Sequence, residues 1–220
     1  MSSRENILGR VRSKLGRTET NASHGRAAID VYLAMRAQGP RPLIEEALLS
    51  RFRAKSELLS SSIEIVAVSP EVPQAVARYL AAHQLAPQAV CWPELARLPW
   101  HEAGIRVEPR AATGSDLLGI TGCFCALAET GTLVLCSGAD TAATTSLLPE
   151  THIAIVPASR IVLGMEEAWS LIRSELGESR PLPRAINFIS GPSRTGDIEQ
   201  TIVLGAHGPY RVHIVIVQGE

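Results

Sequence analysis

The chain has 220 residues, 45% of them hydrophobic and 20% charged, which excludes disordered and fibrous proteins. Its formal net charge of -1 offers no overall attraction to nucleic acid or to an anionic membrane, so neither is an expected partner. Charged residues interrupt the N-terminal segment, which therefore lacks the apolar core of a signal peptide, and no apolar run reaches the roughly 18 residues of a membrane span. We expect a cytoplasmic protein.

Residues 1–60 are predicted to be helical. Apolar residues recur at helical spacing in "SRENILGRVRSKLG", in "RAAIDVYLAMRAQ" and between Leu43 and Leu59. Ser3 is the predicted cap of the first helix. The inward-facing residues predicted for the third helix are Ala47, Leu48 and Phe52.

Residues 61–220 change to an α/β pattern. The runs "SIEIVAVS", "EVPQAVARYLAAHQL" and "QAVCW" predict strand, helix and strand, which is typical of a parallel βαβ unit. Further strands are predicted at "THIAIVPA", "AINFIS" and "RVHIVIV", the last apolar on both faces and therefore central, with a helix at "MEEAWSLIRSEL". We predict a mixed, largely parallel α/β sheet that forms one compact unit with the N-terminal helices.

An antiparallel hairpin interrupts this parallel pattern. Two apolar runs in "LLGITGCFCALAETGTLVLCSG" are joined by "ETGT", which predicts a turn at Thr130–Gly131. Glu129 before that turn is a candidate nucleophile or general base. The alternative is a surface hairpin with polar turn residues.

The stretch "FISGPSRTGDIEQ" is a candidate anion site. A strand ending at Ser190, a turn at Gly191 and a helix capped by Ser193 or Thr195 would leave free backbone N–H groups beside Arg194. No P-loop or dinucleotide spacing is present. The stretch therefore predicts either a site for an anion or only the start of a helix.

Two acidic residues argue against phosphate at this position. Asp197 and Glu199 fall in the first turn of the predicted helix, where they already place negative charge at its N-terminus. A smaller anion bound by Arg194 stays possible, and the alternative is a surface pair of Arg194 with Asp197.

Two histidines near the end of the chain have different predicted roles. His207, before a Gly-Pro turn, is a candidate general acid or base because imidazole titrates near neutral pH. His213 lies inside the apolar run "RVHIVIV" and is predicted to be a hydrogen-bonded core residue.

Four cysteines occur without a C-x-x-C pair or a histidine at zinc-finger spacing. Cys123 and Cys125 would share a face of a strand and could bind a metal together with Cys136. Buried free thiols are the favoured interpretation, so no metal site is predicted in this chain.

Four motifs in order, "ITGCFCALAETGTLVLCSG", "LLPETHIAIVPASRIV", "ISGPSRTGDIE" and "LGAHGPYRVHIVIV", resemble the LUD-domain family, in its lactate utilisation protein C group. The resemblance covers about the second half of the chain and implies a fold similar to the NagB, ribose-5-phosphate isomerase and CoA-transferase-like class. The motif positions carried over are Glu129, Thr130, Gly131, Thr132, Ser190, Gly191, Pro192, Ser193, Arg194, Thr195, Asp197, Glu199, His207, Gly208 and Pro209.

The resemblance implies a non-autonomous subunit of a system that oxidises L-lactate to pyruvate. Partner subunits would carry the iron-sulfur clusters, and this chain would bind no cofactor itself. It would hold a small carboxylate, through Arg194 and the backbone around Gly191, because a guanidinium offers a carboxylate two parallel hydrogen bonds. The alternative is a standalone acyl-transfer or sugar-phosphate isomerase-like enzyme that uses Glu129.

Overall fold

Contacts within the chain divide it into two units, residues 1–43 and residues 44–220. The computed structural model describes residues 2–16, 18–177, 182–198 and 201–219, with the backbone alone for 19–22, 197–198 and 201–202. The first unit contains α1 (Ser3–Lys14) and α2 (Glu19–Met35). Ser2, and not the predicted Ser3, caps α1, because Ser2 and Glu5 exchange side-chain to backbone hydrogen bonds.

The described helices and strands of the second unit follow the predicted α/β pattern. The helices are α3 (Leu48–Leu58), α4 (Val72–Ala82), α5 (Thr144–Leu147) and α6 (Met165–Leu176). The strands are β1 (Ser62–Val66), β2 (Gln88–Cys91), β3 (Arg106–Pro109), β4 (Leu118–Thr121), β5 (Cys125–Leu127), β6 (Thr132–Cys136), β7 (Thr151–Pro157), β8 (Ile161–Val162), β9 (Ile186–Ile189), β10 (Arg194–Ile198), β11 (Thr201–Leu204) and β12 (Arg211–Val217). No helix within the described ranges is long and apolar enough to cross a membrane.

Six strands form a parallel main sheet in the order β1-β12-β7-β4-β2-β3. The predicted central position of β12 is confirmed, since it pairs with β1 on one side and β7 on the other. Its residues alternate between two hydrophobic clusters: Val215 packs with α4, and Ile214 packs with Phe52 of α3. The buried α/β sheet predicted from the apolar runs is therefore confirmed.

The third predicted helix differs from α3 at its start. Leu43 is the predicted first residue, whereas α3 begins at Leu48, and Ala47, predicted to face inward, is exposed. Leu48 is the first residue of the helix that packs against the hydrophobic cluster around Phe52, which is completely buried. Burial of Phe52 thus joins α3 to the α/β unit.

The predicted hairpin is confirmed, but it belongs to a second sheet with the order β8-β5-β6-β9. The run "LLGITGCFCALA" divides into β4 of the main sheet and β5 of the second sheet, because Gly122 to Phe124 turn the chain between them. The antiparallel pairs β5–β6 and β6–β9 therefore leave the main sheet wholly parallel.

The helix predicted after Gly191 is wrong. Residues 194–198 form β10, which pairs antiparallel with β11 in a separate two-stranded sheet. The N–H of Ser193, a predicted helix cap, donates to the Pro209 carbonyl at 2.8 Å. β-branched residues at Thr195, on β10, and Val203, its partner on β11, favour the extended backbone.

Candidate functional site

Gly131 of the hairpin lies directly against the end of α3. Its φ of 67° is in the left-handed region, and a Cβ atom there would lie 2.5 Å from the Ser56 backbone nitrogen. The Ser56 hydroxyl donates to the Gly131 carbonyl at 3.2 Å in a buried environment. Gly131 therefore allows the hairpin to contact α3 backbone to backbone.

Gly191 and Arg194 contact the same end of α3. Gly191 has a φ of 77°, and a Cβ atom on it would overlap the Leu59 carbonyl oxygen. Nη2 of Arg194 donates to that carbonyl at 2.7 Å and to the Ser60 hydroxyl at 2.8 Å. A guanidinium on the last carbonyls of a helix is stabilised by the negative end of the helix dipole. Arg194 thus caps α3.

Hydrogen bonds also join the motifs to each other. The hydroxyls of Thr130 and Thr132 are 2.7 Å apart, and those of Thr132 and Ser190 are also 2.7 Å apart. Ser193 reaches the "GAHGP" loop through its hydrogen bond to Pro209. The motifs separated in sequence are therefore brought together beside α3, where they fasten this helix to the second sheet.

The remaining motif residues take different positions in the fold. Glu129 is half-buried at the end of β5, with its N–H bonded to Leu163, and His207 is exposed in the loop before β12. Thr195 is buried on β10. Asp197 is described by its backbone in β10, and Glu199 lies outside the described residues.

A different place in the fold has the topology of a ligand site. β2 and β4 are neighbours in the main sheet, yet the chain continues from β2 to β3 on one side and from β4 towards β7 on the other. In open parallel sheets, ligands bind outside the carboxyl ends of the strands at such a switch point. Residues at or after the ends of β2, β4, β6 and β7 line an open cavity of about 220 Å³ at this point.

We call this space the switch-point cavity; it is lined by Trp92, Glu94, Cys123, Phe124, Cys136, Thr141 and Arg160. Glu94 rests against the backbone of Gly122, where a Cβ atom would lie 2.8 Å from its Oε1. Arg160 donates to Glu175 at 2.6 Å, and its Cζ lies 5.7 Å from the Phe124 ring centroid. A carboxylate and a guanidinium therefore both line one small cavity that also has aromatic walls.

The thiols at and beside this cavity are shielded from water. Burial raises the pKa of Cys123, Cys125 and Cys136, to about 12 for Cys125 and about 11 for Cys136. The Cys123 thiol donates to the Cys125 carbonyl at 2.8 Å. Within the described residues, no three His, Cys, Asp or Glu side chains are placed to hold a metal ion.

Trp92, Glu94 and Arg160 are not among the candidate residues predicted from the sequence. Trp92 ends the strand predicted at "QAVCW", Glu94 follows it, and Arg160 follows the strand predicted at "THIAIVPA". The signal for them is the rule that the carboxyl ends of parallel strands meet at one edge of the sheet. The prediction for His213 is confirmed: this buried residue bonds the Ser62 hydroxyl at 2.9 Å and stacks on Tyr79.

Comparison with known proteins gives one family and one related fold. The LUD domain family model matches residues 64–217. Lactate utilization protein C of Bacillus licheniformis is 38% identical over 128 residues, covering 54% of this chain and 53% of that protein. Lactate utilization protein C of Bacillus subtilis (strain 168) is 45% identical over 100 residues, covering 46% of this chain and 42% of that protein. The chain thus spans about half the length of these curated relatives.

A solved structure has a similar fold. The crystal structure of a DUF162 family protein from Deinococcus radiodurans superposes with a TM-score of 0.59 at 27% identity. The match covers 80% of this chain and 99% of that one.

Proposed function

The chain belongs to the LUD domain family, and from this premise we propose that it is a component of an L-lactate utilisation system, which oxidises L-lactate to pyruvate together with iron-sulfur partner subunits. The relatives named lactate utilization protein C support the lactate role. The iron-sulfur partners follow from the resemblance of the motifs to that group. In this proposal the chain holds the substrate.

The two opposite charges of the switch-point cavity carry the proposal. L-lactate has a carboxylate and a neighbouring hydroxyl, and the cavity offers the Arg160 guanidinium to the first and the Glu94 carboxylate to the second. Trp92 and Phe124 supply apolar walls for the methyl group. A three-carbon acid is small enough for a space of about 220 Å³.

Oxidation of a 2-hydroxy acid to a 2-oxo acid releases the hydroxyl proton, the C2 proton and an electron pair. Glu94 accepts the hydroxyl proton, because a carboxylate that bonds this hydroxyl is placed as a general base. Arg160 orients the substrate by its carboxylate throughout. Iron-sulfur clusters on the partners would accept the electron pair one electron at a time, and the C2 proton would pass to solvent.

The cellular role is tested by deleting the gene and following growth on L-lactate and on glucose as sole carbon source. We expect slow growth on L-lactate alone, restored by the wild-type gene. Growth of the deletion strain at the wild-type rate on L-lactate would contradict a role in lactate utilisation.

The site is tested with the complex purified anaerobically through a tag on this chain, by lactate-dependent dye reduction. Glu94→Gln and Arg160→Gln should each lower the rate at least roughly tenfold, since one lost charge-assisted contact is worth about 1.5–3 kcal/mol. Arg97→Gln, an exposed arginine nearby in the chain, is the matched control. The Arg160–Glu175 pair is partly exposed, so its loss should cost at most about 1 kcal/mol in stability. Full activity in both cavity variants would show that the substrate does not bind in this cavity.

A further inference from the structure

A second cavity lies at the opposite edge of the main sheet. It measures about 230 Å³ and is formed by the turn between α3 and β1, by α4 and by the start of β12. We call it the amino-edge cavity, because the amino ends of parallel β1 and β12 border it. Its lining residues are Ser60, Ser61, Ser62, Tyr79, His83, Tyr210, Arg211 and Val212.

Hydrogen-bond donors dominate this lining. Three consecutive serines, two tyrosines and an arginine carry donor groups, and no carboxylate is among the described lining residues. A neighbouring cavity at the amino ends of β2 and β3 shares Arg211 but is lined by carboxylates, and there Arg110 is paired with both Asp116 and Glu108. The amino-edge cavity thus has a positive charge that its own lining does not neutralise.

Ser61 supplies an unused buried group. The residue is 5% exposed, and its hydroxyl has no hydrogen-bond partner in the described part of the chain. A buried hydroxyl without a partner is unfavourable, so such a group in the wall of a cavity points to a ligand that completes its hydrogen bonding.

Arg211 is held in place by neutral groups. Its Nε donates to the Thr151 hydroxyl at 3.1 Å, and its Cζ lies 4.1 Å from the Tyr210 ring centroid. Among the described residues it forms no ion pair. These contacts fix the plane of the guanidinium and leave its outer N–H groups for an acceptor, which favours a planar or tetrahedral oxyanion.

We infer that the amino-edge cavity binds a small oxyanion, a carboxylate or a phosphate, between Arg211 and the Ser61 hydroxyl. Arg194 contributes indirectly, because it holds Ser60 and so fixes the serine turn. This site is separate from the switch-point cavity and does not depend on the proposed lactate role. Bound anion would connect the end of α3 to β12 and stabilise the fold.

The test is calorimetric titration of the full chain with inorganic phosphate, acetate and L-lactate, each against potassium chloride at equal ionic strength. We expect at least one of these oxyanions to bind and to raise the melting temperature. Binding of phosphate but of neither carboxylate would show that the ligand is a phosphate. Binding of both acetate and L-lactate would show that it is a carboxylate. No heat beyond that of chloride for any of them would overturn the inference.

Variants separate this site from general effects. Ser61→Ala should weaken binding about tenfold or more while leaving the melting temperature without anion unchanged or higher, because the hydroxyl has no partner among the described residues. Arg211→Lys should also weaken binding, since it keeps the charge and loses the planar fork. Thr145→Val removes another buried, unpartnered hydroxyl elsewhere and should leave affinity unchanged.

Affinity that survives both Ser61→Ala and Arg211→Lys would overturn the assignment. L-lactate binding that is lost only in Arg160→Gln would be assigned to the switch-point cavity. That result would support the proposed function and would show that L-lactate is not the ligand of the amino-edge cavity. The two proposals therefore fail by different results.

Discussion

Replacing Gly131 by alanine should weaken the contact between α3 and the second sheet. The added methyl group would lie 2.5 Å from the Ser56 nitrogen and 2.6 Å from the Lys55 carbonyl carbon, so backbone would have to move. An alanine at a φ of 67° costs about 1–2 kcal/mol, and overpacking a tight contact costs about 1–3 kcal/mol. The free energy of unfolding should therefore fall by about 2–5 kcal/mol.

That loss is large beside the roughly 5–15 kcal/mol that stabilises a typical domain. It should lower the melting temperature by roughly 4–20 °C for a unit of this size. The measurement is urea unfolding followed by circular dichroism, with thermal melting as a second readout. Reduced protection of the amides of α3 in hydrogen exchange would show that the contact with this helix is the part that loosens.

Gly196→Ala is the matched control. Gly196 lies on β10 within the same group of motifs, but a Cβ atom there meets no atom within 4 Å. Its effect should stay within about 0.5 kcal/mol. If Gly131→Ala is as stable as Gly196→Ala, the close approach of the hairpin to α3 is not the reason that position 131 requires glycine.

Two further predictions concern a cap and buried imidazoles. Arg194→Gln should lower the free energy of unfolding by about 1 kcal/mol, because the end of α3 loses a charged donor; a weaker L-lactate affinity with unchanged stability in urea unfolding would instead make Arg194 a substrate ligand. Burial lowers the pKa of His152 and His213 from 6.5 to about 4, so the unfolded chain binds protons between these values and the folded chain does not. Stability should therefore fall as the pH drops from 6.5 towards 4, by up to about 1.4 kcal/mol per pH unit for each histidine. His213→Asn should reduce the slope of the free energy of unfolding against pH, measured by urea unfolding across that range, whereas replacement of exposed His101 by Gln should not. An unchanged slope in His213→Asn would contradict the assignment of this pH dependence to His213.

The main sheet was predictable because its two longest strands are continuous apolar runs bounded by turn residues. β7 and β12 fall where "THIAIVPA" and "RVHIVIV" predict them, and β12 takes the central position that its two apolar faces require. The turn at Gly131 was predictable for a similar local reason, since a glycine between two apolar runs favours a hairpin. Such features depend on neighbouring residues alone.

The structure after Gly191 depends on distant residues. Serine and threonine followed by acidic residues are typical of a helix start, and this local preference predicts a helix at Ser193. Pairing of β10 with β11 and the bond from Ser193 to Pro209 select the extended form instead. Tertiary hydrogen bonds thus override the local preference.

The switch-point cavity was not predictable from spacing. Its lining residues run from Trp92 to Arg160 and follow strands that are far apart in the sequence. They meet because β2 and β4 are neighbours, and the strand order is not encoded in any one motif. The glycines and Arg194 of the motifs, by contrast, were recognisable in sequence, while their contacts with α3 become evident only in the fold.

The position of β12 has a consequence for synthesis of the protein on the ribosome. β1 is an edge strand whose neighbour in the main sheet is β12, and the bonded residues Ser62 and His213 are 151 positions apart. Nascent β1 therefore leaves the ribosome long before its partner strand exists. Contacts between such distant segments form slowly, and unpaired apolar strands are prone to aggregate. β1 therefore gains its partner in the main sheet only after β12 has been synthesised.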